Sequence, residues 1–247
     1  MTNQGNQSAL TIARHLVRSN AKYFIAVWLL MLTAVAVATV VVGFFTAPDI
    51  SIVDFAAMPP RYWLLAVGIS TTVSIARIYI AHGVTRHHVG GGIVIAAVGI
   101  SVLLAAMMAV AYGVEHLVYD ANGWAQQASV DLDSRGRHLF DNGGQFGLVF
   151  TEFILVYLGH FFAGWTIGLL FTRFSVLTGI LLILPAYLPA VLLEATAGSS
   201  RPGMVLQNLM GGTIPMIGVL AVAIPVLLFQ VLLNRGMVLR MALKTKN

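Results

Sequence analysis

Few residues in this chain are of types that do chemistry. Its only lysines are Lys22, Lys244 and Lys246, and none follows a glycine. A phosphate-cradling loop ending in Gly-Lys-Ser/Thr is therefore missing, and the chain cannot hydrolyse ATP by that route. There is no cysteine, which excludes disulfides, thiolate metal sites and cysteine nucleophiles. His87 and His88 are adjacent, so on a helix they point about 100° apart and share a metal poorly. His116, His138 and His160 are scattered, and no pair of histidines brackets a glutamate at zinc-protease spacing. The sequence offers no clustered ligands and no nucleophile–base pair, so an intramembrane metal or haem enzyme gains little support. Glu152 and His160 lie eight residues apart, about two turns on a helix and near one face. They suit part of a proton path, with tertiary packing as the plainer alternative. Glu152 stands about two turns inside an apolar run, where a carboxylate is costly unless paired, protonated or facing a water-filled cavity. It is a candidate for substrate or ion handling, with a structural role as the plainer alternative. Arg77 lies near the end of another run, within snorkelling reach of headgroups. Glu115 and Glu194 fall near the edges of their runs and call for no special explanation.

The elements that position these groups follow from composition. Hydrophobic residues make up 58% of 247 and charged residues 9%, against about a quarter charged in a soluble domain. The solvent of this chain is mostly lipid. About 20 apolar residues cross a bilayer core as a helix, and six segments are long enough: Tyr23–Thr46, Tyr62–His82, Gly90–Val114, Gln145–Thr172, Phe174–Glu194 and Thr213–Asn234. These are continuous apolar runs rather than alternating ones, which argues against barrel strands. The first is too long for a signal-peptide core and reads as a retained helix. The fold class expected is a single all-α membrane domain of six transmembrane helices over residues 1–247.

Charge orients the bundle. With the N-terminus cytoplasmic, the inner side holds Arg14, Arg18, Lys22, Arg77, Arg86, Arg173, Arg235, Arg240, Lys244 and Lys246, and the outer side holds Arg61, Arg135, Arg137 and Arg201. Ten against four favours both termini inside. Asp49, Asp54, Asp120, Asp131, Asp133 and Asp141 fall outside, and no Asp or Glu falls inside. The net charge of +5 is therefore mostly a topology signal, not a nucleic-acid footprint.

Before the first span, Arg14, Arg18 and Lys22 recur at i, i+4, i+8, while Leu10, Ala13, Leu16 and Val17 fall on another face. Residues 8–22 are expected to form an amphipathic helix on the anionic inner leaflet. The segment Tyr119–Gly144 is long and polar, longer than an ordinary connection. Ala195–Gly212 suits a short helix over Met204–Met210 at the outer interface. No internal repeat is evident, so an inverted-repeat transporter gains no support.

Packing signals are plainer. Gly159, Gly164 and Gly168 lie on closely related faces of the fourth span, and small residues let membrane helices approach closely. Pro185 and Pro189 each remove a backbone donor from the fifth span and can kink it, widening a central cavity or being absorbed by neighbours.

The turn between the second and third spans reads Gly83-Val84-Thr85-Arg86-His87-His88. It is short, basic and helix-compatible from Val84 to Val89, with Gly90–Gly92 releasing the chain into the next span. This resembles the Gly-Val-Ser/Thr-Arg element of bacterial ATP-binding-cassette (ABC) exporter permeases of the ABC-2 type. The likeness extends to the amphipathic start, six spans, an early short turn and a polar outer segment before the last span. His87–His88 departs from relatives, where a further basic or acidic residue and then an aromatic are common.

The resemblance implies a permease subunit in the bacterial cytoplasmic membrane, with residues 83–90 as a coupling turn on a separate ABC ATPase subunit. ATP and Mg would sit on that partner, with no cofactor in this chain. A second copy or a related permease would complete a central cavity, lined by the second and fifth helices. The chain itself is then no enzyme. Substrates from drugs and antimicrobial peptides to lipid or glycan precursors remain open. The alternatives are an ATP-independent secondary transporter or channel, which should carry a charged intramembrane network, and an intramembrane enzyme.

Overall fold

The computed structural model describes residues 2–48, 51–126, 138–197 and 214–241. It is all-helical, with no strand among the described residues. Six helical stretches are long and apolar enough to cross a membrane: Ala9–Phe45, Val53–Ala81, Arg86–Ala121, Phe146–Arg173, Val176–Ala197 and Met216–Leu239. The chain is a multi-pass membrane protein. Its helices are α1 (Thr2–Phe45), α2 (Val53–Ser70), a π-helical turn Thr71–Ala76, α3 (Arg77–Ala81), α4 (Arg86–Ala121), α5 (Phe146–Arg173), α6 (Val176–Leu181), α7 (Ile183–Ala197) and α8 (Met216–Leu239). α5 is the axis, packed on α2, α4, α7 and α8.

Tight turns at 82–85 and 174–175 define one end of the bundle. The starts of α2 and α5 meet the end of α4 at the other. All six described Asp and Glu residues lie toward this second, acidic end: Asp54, Glu115, Asp120, Asp141, Glu152 and Glu194. Arg77, Arg86, Arg173, Arg235 and Arg240 lie toward the opposite, basic end.

Several boundaries differ from expectation. The expected interfacial helix and first span are one continuous helix of 44 residues. Its Ala9, Ile12, Ala13 and Leu16 are buried, because Gly92 of α4 lets the α1 backbone in: a Cβ there would stand 2.8 Å from the Ala9 carbonyl oxygen. Ala13 and Leu16 of the expected apolar face are thus packed and Val17 partly so, while Leu10 is exposed. The second span begins at Val53, not Tyr62, and keeps Pro59 and Pro60 inside α2. The N–H groups at its start are satisfied by Glu115 of α4, which accepts from the Ile52 and Val53 amides at 2.7 and 3.0 Å and from the Ser51 hydroxyl. A cap supplied from 62 residues away along the chain leaves no local start signal.

Between the second and third spans there is no separate short helix. The turn is His82 to Thr85, with Gly83 at φ +83°, where glycine carries no Cβ penalty. Thr85 caps α4, accepting from the His88 amide at 3.4 Å. Arg86–Val89 are already the first turn of α4, and Gly90–Gly92 continue the helix instead of breaking it. The fifth span is broken at Leu182 into α6 and α7. Pro185 removes the amide that would bond the Leu181 carbonyl, which favours the break one turn earlier. Ser175 caps α6 through the Thr178 amide. Residues 127–137 of the expected outer segment 119–144, and the short helix expected over 204–210, lie outside the described residues.

Candidate functional site

The acidic end holds a buried polar network built from four helices and one loop. His138 lies in the loop before α5, with its side chain 11% exposed. Its Nδ1 is 2.6 Å from Oε1 of Glu152 on α5, and its Nε2 is 3.5 Å from Oδ1 of Asp54 on α2. The Leu139 amide donates to the second Glu152 oxygen at 2.8 Å. The Tyr112 hydroxyl of α4 donates to Asp54. Tyr112, Phe140, Phe153 and the His138 ring pack around this centre, with the His138 and Phe140 rings stacked 4.7 Å apart.

A neutral imidazole has one N–H. Carboxylates flank both His138 nitrogens, so the geometry suits the doubly protonated ring. Burial opposes that charge, but the Glu152 and Asp54 carboxylates outweigh it and raise the His138 pKa from 6.5 to about 10.

One level deeper, Arg61 of α2 is buried and its Nη1 lies 3.4 Å from Oε1 of Glu194 on α7. His160 of α5 joins the pair. Its Nδ1 lies 2.8 Å from the Val156 carbonyl, and its Nε2 faces the Tyr187 hydroxyl at 2.9 Å and Glu194 at 3.3 Å. The Tyr157 hydroxyl, buried and without a hydrogen-bond partner, lies within the electrostatic reach of both Arg61 and Glu152. Chemically, the arrangement holds paired charges away from water and ties α2, α4, α5 and α7 together. Among the described residues no three His, Asp or Glu side chains are grouped to hold a metal ion.

Of the residues singled out in the sequence, Glu152 is at the network's centre and fully buried. His160 belongs to the same network through a different carboxylate. Arg77 is exposed and outside it. Pro185 and Pro189 do not border it: with Pro225 they line an apolar groove of ≈ 500 Å³ between α7 and α8. Gly164 and Gly168 seat α2 against α5, where a Gly164 Cβ would fall 2.0 Å from the Leu65 carbonyl oxygen and a Gly168 Cβ 2.8 Å from that of Ile69. Gly159 faces α7 instead, against Leu193 and Ala190. Gly83, Thr85, Arg86 and His87 are exposed at the basic end, with Val84 and His88 half-buried. His87 lies 3.4 Å from Arg235 of α8.

Asp54, Arg61, Tyr112, His138 and Tyr187 were not singled out as site residues, and Glu115 and Glu194 were passed over as edge residues. Both glutamates are buried. Their separations in sequence carry no period that would group them. The usable signal was that each is an ionisable side chain at the margin of an apolar helix, and extending α2 back to Val53 turns Arg61 from a loop residue into a buried one.

No protein-family model, curated protein or solved structure matches this chain.

Proposed function

We propose that the chain is the membrane-spanning permease subunit of an ATP-driven ABC exporter of the ABC-2 type, in a bacterial cytoplasmic membrane. The observation that carries the reading is the exposed Gly83-Val84-Thr85-Arg86 turn at an end whose charged side chains are basic. Arg86 begins α4 and is exposed, so its rigid fork of donors is free to pair a carboxylate or carbonyl on a partner. Energy would come from a separate ATPase carrying ATP and Mg, because this chain has no lysine in a phosphate-binding loop. Two permease subunits would rock between inward and outward states as the ATPases close. On this reading the docking element is the turn at 83–90, of which Gly83, Thr85, Arg86 and His87 are exposed. Co-expression with the ABC ATPase encoded beside it, where there is one, tests the reading. The complex should co-purify and hydrolyse ATP, and the chain alone should not. ATP hydrolysis by the chain alone, with contaminants excluded, would refute it.

A second reading has one observation in its favour. A secondary transporter should carry a charged network within its spans, and Asp54, Arg61, His138, Glu152, His160 and Glu194 form one at the acidic end. Substrate uptake by vesicles holding this chain alone under a proton gradient, without any ATPase, would select it.

A further inference from the structure

We propose that the Asp54–His138–Glu152 bridge is a proton-operated latch: it holds the acidic ends of α2 and α5 together while His138 carries both ring protons, and parting the two helices releases one proton to solvent. It rests on the transport reading in one respect, that the acidic end opens.

The geometry supplies both the latch and its fulcrum. Asp54 and Glu152 sit on different helices and contact opposite nitrogens of one ring. Among the described residues no backbone hydrogen bond spans that gap, so the ring is the tie. Further along, α2 and α5 touch backbone to backbone: a Cβ on Gly68 would lie 2.3 Å from the Phe161 carbonyl oxygen, and one on Gly164 2.0 Å from that of Leu65. This contact is about 20 Å from the bridge at 1.5 Å per residue. A rotation of about 10° there moves Asp54 and Glu152 apart by roughly 3.5 Å, enough to break both ring contacts.

The groups facing His138 set the sign. From α2 these are Asp54 with Arg61 deeper; from α5, Glu152 with Tyr157 below it; from α4, Tyr112. Glu115, one turn beyond Tyr112, is bound to Ser51, Ile52, Val53 and Gln126. In the closed form the two carboxylates hold the proton up to about pH 10, and a water-exposed ring loses it near 6.5. Between those values the closed form binds one more proton than the open one. The open-to-closed ratio then rises by close to tenfold per pH unit. Acid favours closure and alkali favours opening.

The chain has no cysteine of its own, so two nitroxide labels can be placed alone. Phe55 is exposed near the start of α2, and Gly147 near the start of α5 has open space around it. Labels at Phe55→Cys and Gly147→Cys, in the full chain in lipid nanodiscs, report the gap by pulsed-dipolar distance measurement. A longer-distance population should grow relative to the shorter one, by roughly seventyfold between pH 7 and pH 9. His138→Gln should remove that dependence. If His138→Gln does not fold, Glu152→Gln decides: with one flanking carboxylate gone, the rise must level off at lower pH. A distance distribution independent of pH, a dependence that persists in His138→Gln, or an unmoved profile in Glu152→Gln would overturn the latch. Failure of ATPase co-purification would refute only the ABC reading.

Discussion

Replacing Gly164 by alanine adds one methyl group where two helix backbones meet. The new Cβ would stand 2.0 Å from the Leu65 carbonyl oxygen, 2.8 Å from its carbon and 3.0 Å from its Cα. All three are backbone atoms, so no side chain can swing away. Ordinary contact begins near 3.4 Å, so α2 and α5 must separate by more than 1 Å, by roughly the shortfall between those distances. Alanine is the better helix former by about 1 kcal/mol, and overpacking of this kind costs about 1–3 kcal/mol. Because the overlap is with backbone atoms, the cost falls in the upper part of that range, and the net effect should be destabilising by about 1–2 kcal/mol. The shift also strains the 3.5 Å His138–Asp54 contact. Gly147→Ala is the matched control, because nothing lies within 4 Å of its Cβ position. Thermal unfolding in one detergent should show Gly164→Ala melting below wild type and Gly147→Ala at or above it. Amide exchange at Leu139, whose N–H bonds Glu152, should quicken in the first and not in the second. Equal melting of the two variants would refute the close α2–α5 contact.

Glu115→Ala should leave the Ile52 and Val53 amides without their acceptor, at about 1–3 kcal/mol for each buried donor; faster exchange confined to the start of α2 checks it. Arg61→Met should remove the arginine beside the buried Glu194 carboxylate and destabilise by about 3 kcal/mol, read as a lowered melting temperature. For His138, whose folded pKa is raised to about 10, the stabilisation should be complete below pH 6.5 and lost as pH rises through about 10. The melting temperatures of wild type and His138→Gln should accordingly converge toward pH 10.5.

The six apolar runs were legible because a bilayer demands them, and the fourth span was placed to within one residue at each end. Helix ends were harder where the cap comes from elsewhere. α2 starts at Val53 because Glu115 reaches across to it, and a local reading sees only Pro59 and Pro60. The glycines at 90–92 read as a release from helix, yet the approach of α1 gives Gly92 a packing role inside α4. The site was legible as two residues, Glu152 and His160, on one face of one helix. Their partners Asp54, Arg61, Tyr112, His138 and Glu194 come from other elements, and only tertiary packing brings them together. The Gly83–Arg86 turn was legible as an exposed turn, and its left-handed glycine explains how so short a link reverses the chain.

The permease reading is tested most directly by the Arg86→Glu variant, co-expressed with the ABC ATPase. Arg86 is exposed and makes no contact that holds the bundle, so the variant should insert, fold and melt like wild type. Losing a charge pair at the docking surface should cost about 2–5 kcal/mol of association. The ATPase should then fail to co-purify, and ATP-dependent transport should stop. A variant that retains the ATPase and transports at the wild-type rate, at equal expression, would contradict the assignment.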